Sequence, residues 1–364
     1  MNDHARHPAE PVPEWPATQP AVLTRAVIKL LADDFVVIEN TGIEPTGEGE
    51  HLWLRLRKTG FSTQEAVKQL ASASSVAQRD IGYAGLKDRH AVTEQWMSVL
   101  WPIANEPDWL GELPAGIEVL QQRRHGRKLR KGALKGNAFE LTLREVEYDD
   151  KAAVDRRIQE IQQQGFPNYF AEQRFGRDGA NVSKAKAMFD RSMKVRDRFR
   201  RGMFLSAARS WIFNHVLAER VRQGSWNQAL AGEICALEGS RQHFKSQPDD
   251  PEIKDRIDSG DIHPSGPLWG DGEPESSDEA YALESRIAAT EPELVSGLAG
   301  ARMDHDRRAL RVIPQSLQHE WLADDKLKLS FSLPAGVYAT ALLRELGRYE
   351  TAFTQYPDSD KPLP

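Results

Sequence analysis

The stretch His51-Leu-Trp-Leu-Arg-Leu-Arg-Lys58 alternates Leu52, Leu54 and Leu56 against Trp53, Arg55 and Arg57. This period of two is the signature of a strand with one buried face. FVVIE (35–39) is a β-branched run, and IGYAG (81–85), WMSVLW (96–101), IEVLQQ and AFELTLREV continue the strand character on either side of the basic RRHGRKLRKGALKGN. Ser62 with Glu65 makes a capping box for a helix running to about Ala73. Strands joined mostly by short loops predict a mixed, mainly antiparallel sheet in an α+β fold rather than a βαβ series.

The second half reads differently. Residues 151–164 are helical in pattern, and GFPNYFAEQRFG breaks that pattern. Helices are then expected over 181–190, 203–222, 228–238 and 277–289, with an acidic, Pro-, Gly- and Ser-rich surface loop between the last two. Strand character returns at ALRVI (309–313) and KLKLSFSL (326–333), and a last helix follows Pro334-Ala335-Gly336 over about Val337–Leu346. A β-rich module interrupted by a mostly helical insert accounts for this order. The 364 residues suit two domains. Pro8, Pro11, Pro13, Pro16 and Pro20 mark residues 1–22 as a flexible leader without the features of a signal peptide.

No run of about 18 apolar residues exists, so no membrane span is expected. Cys235 is the only cysteine, which excludes an intramolecular disulfide and a cysteine-based zinc site. A cytoplasmic protein fits. The formal net charge is −6, but residues 249–279 hold eleven Asp or Glu against Lys254 and Arg256, so the rest of the chain is net positive. Arg123 to Lys131 packs six Lys or Arg into nine positions, and a second cluster follows at Lys194, Arg196, Arg198, Arg200 and Arg201. Local patches of this kind, not total charge, set affinity for phosphates.

Nucleotide-loop, zinc-protease and serine-hydrolase motifs are absent, and the ten histidines lack metal-ligand spacing. In Tyr83-Ala-Gly-Leu-Lys-Asp88-Arg-His-Ala-Val-Thr-Glu-Gln95 a strand ends in a loop that places Asp88 between Lys87 and Arg89. Neighbouring positive charge favours the ionised carboxylate that a nucleophile or base requires. The plain alternative is a solvated turn tip. Aromatics gather in Asn168-Tyr169-Phe170 and Gln173-Arg174-Phe175, at Phe35, and at Phe331 and Tyr338 around the Pro-Ala-Gly turn. Rings beside an amide such as Asn168 suit an extruded base, although each alone also suits a sheet core.

These segments carry a resemblance. GYAGLKDRHAVTEQW, HGRKLRKGALKGNAFELTLREV, PNYFAEQRFG, LSAARS, HPSGPLWG and LPAGVYATALLREL, in order over about residues 24–350, resemble the tRNA pseudouridine synthase D family. The resemblance implies a pseudouridine synthase catalytic domain (23–193 plus 313–364) with an inserted family-specific helical domain (194–312). It implies isomerisation of uridine in RNA, in this family typically uridine-13 of glutamate tRNA, without cofactor or metal. Asp88 matches the family's nucleophile. Phe35, Asn168, Phe170 and Tyr338 match substrate-contacting positions, and Phe331 is placed with them. Lys29 matches a basic position that would pair with Asp88. Tyr338 stands where a Phe is common, and Ala171 replaces a usual Gly. Lys128, Arg130, Lys131 and Lys135 are expected on tRNA phosphates. A monomer without an obligate protein partner is expected.

Other readings stay open at this point: a synthase acting on another RNA, or a non-catalytic RNA-binding or RNA-folding protein on the same scaffold. A carboxylate glycoside hydrolase would draw its acid from Glu94 or Glu172.

Overall fold

The structure is a computed structural model that describes His7 and residues 11–105, 107–247 and 250–352. The remaining residues, which include 1–6 and 8–10 of the expected leader, lie outside the described set. By compactness the chain forms two interleaved units. One comprises Val22–Ile158, Pro314–Gly336 and Gly347–Pro364; the other comprises Met1–Ala21, Gln159–Ile313 and Val337–Leu346.

In chain order the first unit opens with β1 (Arg25–Ile28), β2 (Phe35–Asn40), β3 (His51–Thr59) and α1 (Thr63–Ser74). β4 (Ile81–Tyr83), β5 (Val92–Leu100), β6 (Ile117–His125), β7 (Gly136–Glu147) and α2 (Lys151–Gln164) follow. The second unit carries β8 (Phe166–Pro167), α3 (Ala180–Phe189), α4 (Arg198–Arg222), β9 (Ile234–Leu237), β10 (His243–Lys245) and α5 (Pro251–Asp258). It continues through β11 (Ile262–Leu268), α6 (Asp278–Ala288), α7 (Pro292–Gly300), β12 (Asp306–Ala309) and β13 (Arg311–Val312). The chain closes with β14 (Gln315–Ala323), β15 (Lys326–Pro334), α8 (Ala339–Leu346) and β16 (Glu350–Thr351).

The first unit is a mixed, mainly antiparallel sheet in the order β14-β15-β7-β2-β5-β3-β6, with β1 beside β7, β16 beside β1, and β4 beside β5. Among its described strands the β2–β5 and β1–β16 pairs run parallel, and the others antiparallel. β2 and β5 can be parallel because β3, α1 and β4 lie between them in the chain. The alternation read in β3 holds: Leu52, Leu54 and Leu56 are buried with Leu70 of α1, Met97 and Val99 of β5, and Ile117. The capping box at Ser62 is formed, with the Glu65 amide donating to the Ser62 hydroxyl at 3.2 Å and the Ser62 amide to the Glu65 carboxylate at 2.7 Å.

The second unit has a helical layer on a four-stranded antiparallel sheet, in the order β10-β9-β11-β12. The expected helix over 228–238 is instead a turn leading into β9. Gly232 has φ +76°, and a Cβ there would sit 2.1 Å from the Ser277 carbonyl, so a helix cannot pass through it. The expected acidic surface loop contains α5 and the strand β11, buried over most of its length. β11 accommodates Pro264 and Pro267 because each half is laddered on one side only, Ile262–Pro264 to β9 and Ser265–Leu268 to β12.

The leader also differs from expectation. Trp15 is 2% exposed. Its ring stacks on Tyr169 at 5.9 Å and meets Trp211 and His215 edge-on. Thr18 donates to Glu345 of α8 through both its amide and its hydroxyl, at 3.1 and 2.5 Å. An indole with this much apolar surface outweighs the freedom that the prolines suggest. Residues 159–193, expected with the sheet, are grouped with the second unit, where α3 packs on α4 and α7. None of the described helices is long and apolar enough to cross a membrane.

Candidate functional site

In the first unit Asp88 stands on the loop between β4 and β5, its side chain 45% exposed. Lys29, just after β1, brings its ammonium 2.5 Å from Asp88 Oδ2 while its own side chain is 9% exposed. Lys29 adopts φ +57°. That left-handed backbone costs about 1–2 kcal/mol for a residue with a Cβ, and strain of this kind collects where geometry serves chemistry. Below the ammonium lies the Phe35 ring, 4.3 Å from Nζ to centroid, a cation–π contact. Phe35 meets Phe139 edge-on at 6.5 Å, and Phe139 stacks on Phe331 at 5.4 Å. Phe331 is therefore a floor residue, 3% exposed, two rings removed from Lys29.

The loop is held from below by polar residues. The Lys87 amide donates to Thr63 Oγ1 at 2.8 Å, and that hydroxyl donates to Gln95 at 2.9 Å. The flanking cations expected to serve Asp88 point elsewhere. Lys87 forms a buried pair with Glu39 at 2.9 Å, and Arg89 donates to the Gly60 carbonyl at 3.1 Å. Burial pushes the Glu39 carboxyl up from its ordinary range against the opposing pull of Lys87. Glu94, the possible acid of a hydrolase, is committed to Arg55 and Arg57 at 2.7 and 2.9 Å.

Lys58 is a residue that the sequence reading missed. It is fully buried and donates to the Phe61 carbonyl at 2.7 Å and the Asp88 carbonyl at 3.3 Å. Burial, reinforced by the charge of Lys87, pushes its pKa down to about 8. The signal was present, since Lys58 continues the inward parity of Leu52, Leu54 and Leu56.

In the second unit Phe170, Asn168 and Tyr338 come together. Phe170 lies between two guanidinium groups, Arg308 at 4.1 Å and Arg174 at 5.4 Å from its centroid. Tyr338 meets Phe170 at 6.3 Å and accepts from Arg174 through its hydroxyl at 2.8 Å. Asn168 donates to the Ala309 carbonyl and accepts from Arg308 at 2.5 Å. Its amide thus holds Arg308, whose pKa burial pulls down to about 10. The Phe170 backbone is clamped at both ends by Asn214, at 2.9 Å each. Arg308, Arg174 and Asn214 carried no local sequence signal, because only the fold brings them to Phe170.

The basic loop of the first unit is plugged by buried Leu129, whose amide donates to Ser98 at 2.9 Å. Gly82 of β4 allows this close passage; a Cβ there would lie 2.3 Å from the Leu129 carbonyl. Arg130, Lys131 and Lys135 are exposed, whereas Lys128 is half-buried and donates to the Arg79 carbonyl.

The family model described as tRNA pseudouridine synthase D matches residues 22–193 and 181–346. A protein of that name from Xanthomonas euvesicatoria is 47% identical over 348 residues, 91% of this chain and 94% of its own length. Another, from Aeromonas salmonicida, is 45% identical over 329 residues, 90% of this chain and 92% of its own. A solved structure described as a tRNA pseudouridine synthase D from Methanosarcina mazei superposes with a TM-score of 0.70, covering 91% of this chain and 95% of that one. At 22% identity this last likeness speaks for the fold alone. Near-half identity along nine-tenths of the sequence, with the family model spanning both units, makes the chain a member of the tRNA pseudouridine synthase D family.

Proposed function

We infer that the chain isomerises uridine to pseudouridine in tRNA, at uridine-13 of glutamate tRNA, with Asp88 as the nucleophile. The Lys29–Asp88 pair carries this reading: a carboxylate open to solvent, with an amine from a distant strand end fixed at 2.5 Å. The reaction breaks C1′–N1, turns the uracil and forms C1′–C5. The hydrogen on C5 leaves to water and N1 gains one, so neither redox cofactor nor external group donor is required.

The target carbon is covered while the base is stacked, so the nucleotide is taken out of the stack first. Three routes are chemically open: attack at C1′, attack at C6, or proton removal at C2′. In each the acting group is the ionised carboxylate, and Lys29 holds it ready. In this reading Phe35 in the first unit, and Phe170 and Tyr338 in the second, are each assigned to substrate contact, and Asn168 acts through Arg308. The enzyme works as a cytoplasmic monomer with no obligate protein partner. In the functional sense the catalytic domain is 23–193 plus 313–364.

Tritium release from 5-tritiated uridine in unmodified glutamate tRNA tests the reading. Release by the wild type and none by Asp88→Ala is expected. No release from this tRNA, with release from another, would move the specificity.

Arg130, Lys131 and Lys135 contact phosphates in this reading, while Lys128 supports their loop. Replacing the three exposed cations with alanine is expected to flatten the dependence of log affinity on log salt by about 2, at about 0.7–0.9 per lost phosphate contact. An unchanged slope in a binding titration would return them to solvent.

A further inference from the structure

The chain concentrates charge once more where α3 leads into α4. Lys194, Arg196, Arg198, Arg200 and Arg201 fall within eight positions, and all are exposed, as is Lys184 of α3. Several other surface cations of this unit are matched by carboxylates: Lys254 with Asp258 at 2.5 Å, Arg286 with Glu219 at 3.2 Å and Arg222 with Glu219 at 3.5 Å. Among the described residues, none of the six cations around α4 has such a partner. The one carboxylate in their midst, Asp197, caps α4 by accepting from the Arg200 amide at 2.7 Å. Like charges this close repel one another until a polyanion arrives.

The charges surround a cleft of about 620 Å³. Lys184, Lys194, Arg196 and Arg200 line its sides, and Met203 and Phe204 give it an apolar wall. Phe199, which precedes Arg200 in α4, is 65% exposed, an unusual position for a ring of that size. Cations along a groove with apolar surface and an open aromatic ring are the constituents of a single-stranded nucleic-acid site. A bare inorganic anion would use the cations and leave the exposed ring of Phe199 without a role.

We propose that this cleft takes an unpaired nucleotide of the substrate tRNA, with phosphates on Lys194, Arg196 and Arg200 and a base against Phe199 and the apolar wall. The assignment rests on the tRNA reading above and gives the second unit its own share of RNA affinity.

The test compares three variants with the wild type: Lys194→Ala/Arg196→Ala/Arg200→Ala, Phe199→Ala, and a charge-matched control, Arg222→Ala/Lys254→Ala/Arg286→Ala. All the replaced side chains are on the surface, and thermal unfolding checks that each variant folds. The triple cleft variant is expected to raise KM for tRNA about tenfold with kcat unchanged. It is also expected to flatten the salt slope of binding by about 2. Phe199→Ala is expected to weaken binding about fivefold with the slope unchanged, and the control to change neither.

Wild-type affinity and slope in the triple cleft variant would overturn the proposal, as would an equal loss in the control, which would make the effect one of net charge. If the wild type binds tRNA but isomerises none, the functional reading fails on its own. The binding titrations then still decide the cleft. A wild type that binds no RNA overturns both.

Discussion

Asp88→Asn is expected to lower isomerisation on the order of 10⁴-fold or more while leaving tRNA affinity within about tenfold, or about 1.4 kcal/mol. Asparagine keeps the shape of the side chain and can still accept a hydrogen bond from Lys29, which lies 2.5 Å away. What it loses is the negative charge, and with it the nucleophilicity and basicity on which the three routes draw. The fold is expected to survive, because the carboxylate is 45% exposed and its ion pair is with Lys29 alone among the described residues. Mass-spectrometric detection of pseudouridine, beside a binding titration, separates chemistry from affinity. Turnover near that of the wild type would remove Asp88 from the mechanism.

Lys58→Met is expected to lower kcat about a hundredfold with little change in KM. The ammonium is tied to the Asp88 and Phe61 carbonyls and so fixes the backbone that carries the nucleophile. Misplacing a reacting group by about 1 Å costs roughly that factor. Stability is expected to change little, for two opposing reasons. Unfolded Lys58 holds its proton to about 10.5, whereas the folded group releases it near 8. Burying this charge therefore costs about 3 kcal/mol at neutral pH. Methionine removes that cost but orphans two carbonyls, at about 1–3 kcal/mol each.

The sign of the pH effect follows. Between pH 8 and 10.5 the unfolded state binds the extra proton, so the contribution of Lys58 to stability rises with pH across that window. Activity moves the other way, because a neutral amine grips the two carbonyls less strongly than an ammonium. A several-fold fall in kcat with a midpoint near pH 8, present in the wild type and missing in Lys58→Met, is the expected profile. A step common to both would belong to another group, and wild-type kcat in Lys58→Met would end the positioning role.

Local chemistry was legible in the sequence wherever it was decided locally. The leucines of β3, the Ser62–Glu65 cap and the break at Asn168–Phe170 all announce themselves within a few residues, and the structure has each. The basic loop and the strand-to-loop placement of Asp88 were equally readable. Partners were not. Lys87 was assigned to Asp88 by adjacency, yet a carboxylate 48 positions upstream holds it. Arg308 reaches Phe170 only because β12 and β8 lie in neighbouring ladders of one unit. Prolines concealed β11 and Trp15, since both depend on tertiary burial that overrides local preference. Lys58 is the instructive miss, because its parity was on the page and its charge discouraged the inference.

The interleaving of the two units bears on how the protein is made. Trp15 and Thr18 dock against Arg344 and Glu345 of α8, 329 and 327 positions further along the chain. β1 waits likewise for β16 at Glu350–Thr351. Each unit is thus closed by pairings between segments far apart in the sequence, contacts of high order that slow folding. Until the β1–β16 pairing forms, β1 is laddered only to β7 and its other edge stays open, the kind of backbone edge that invites association with other chains.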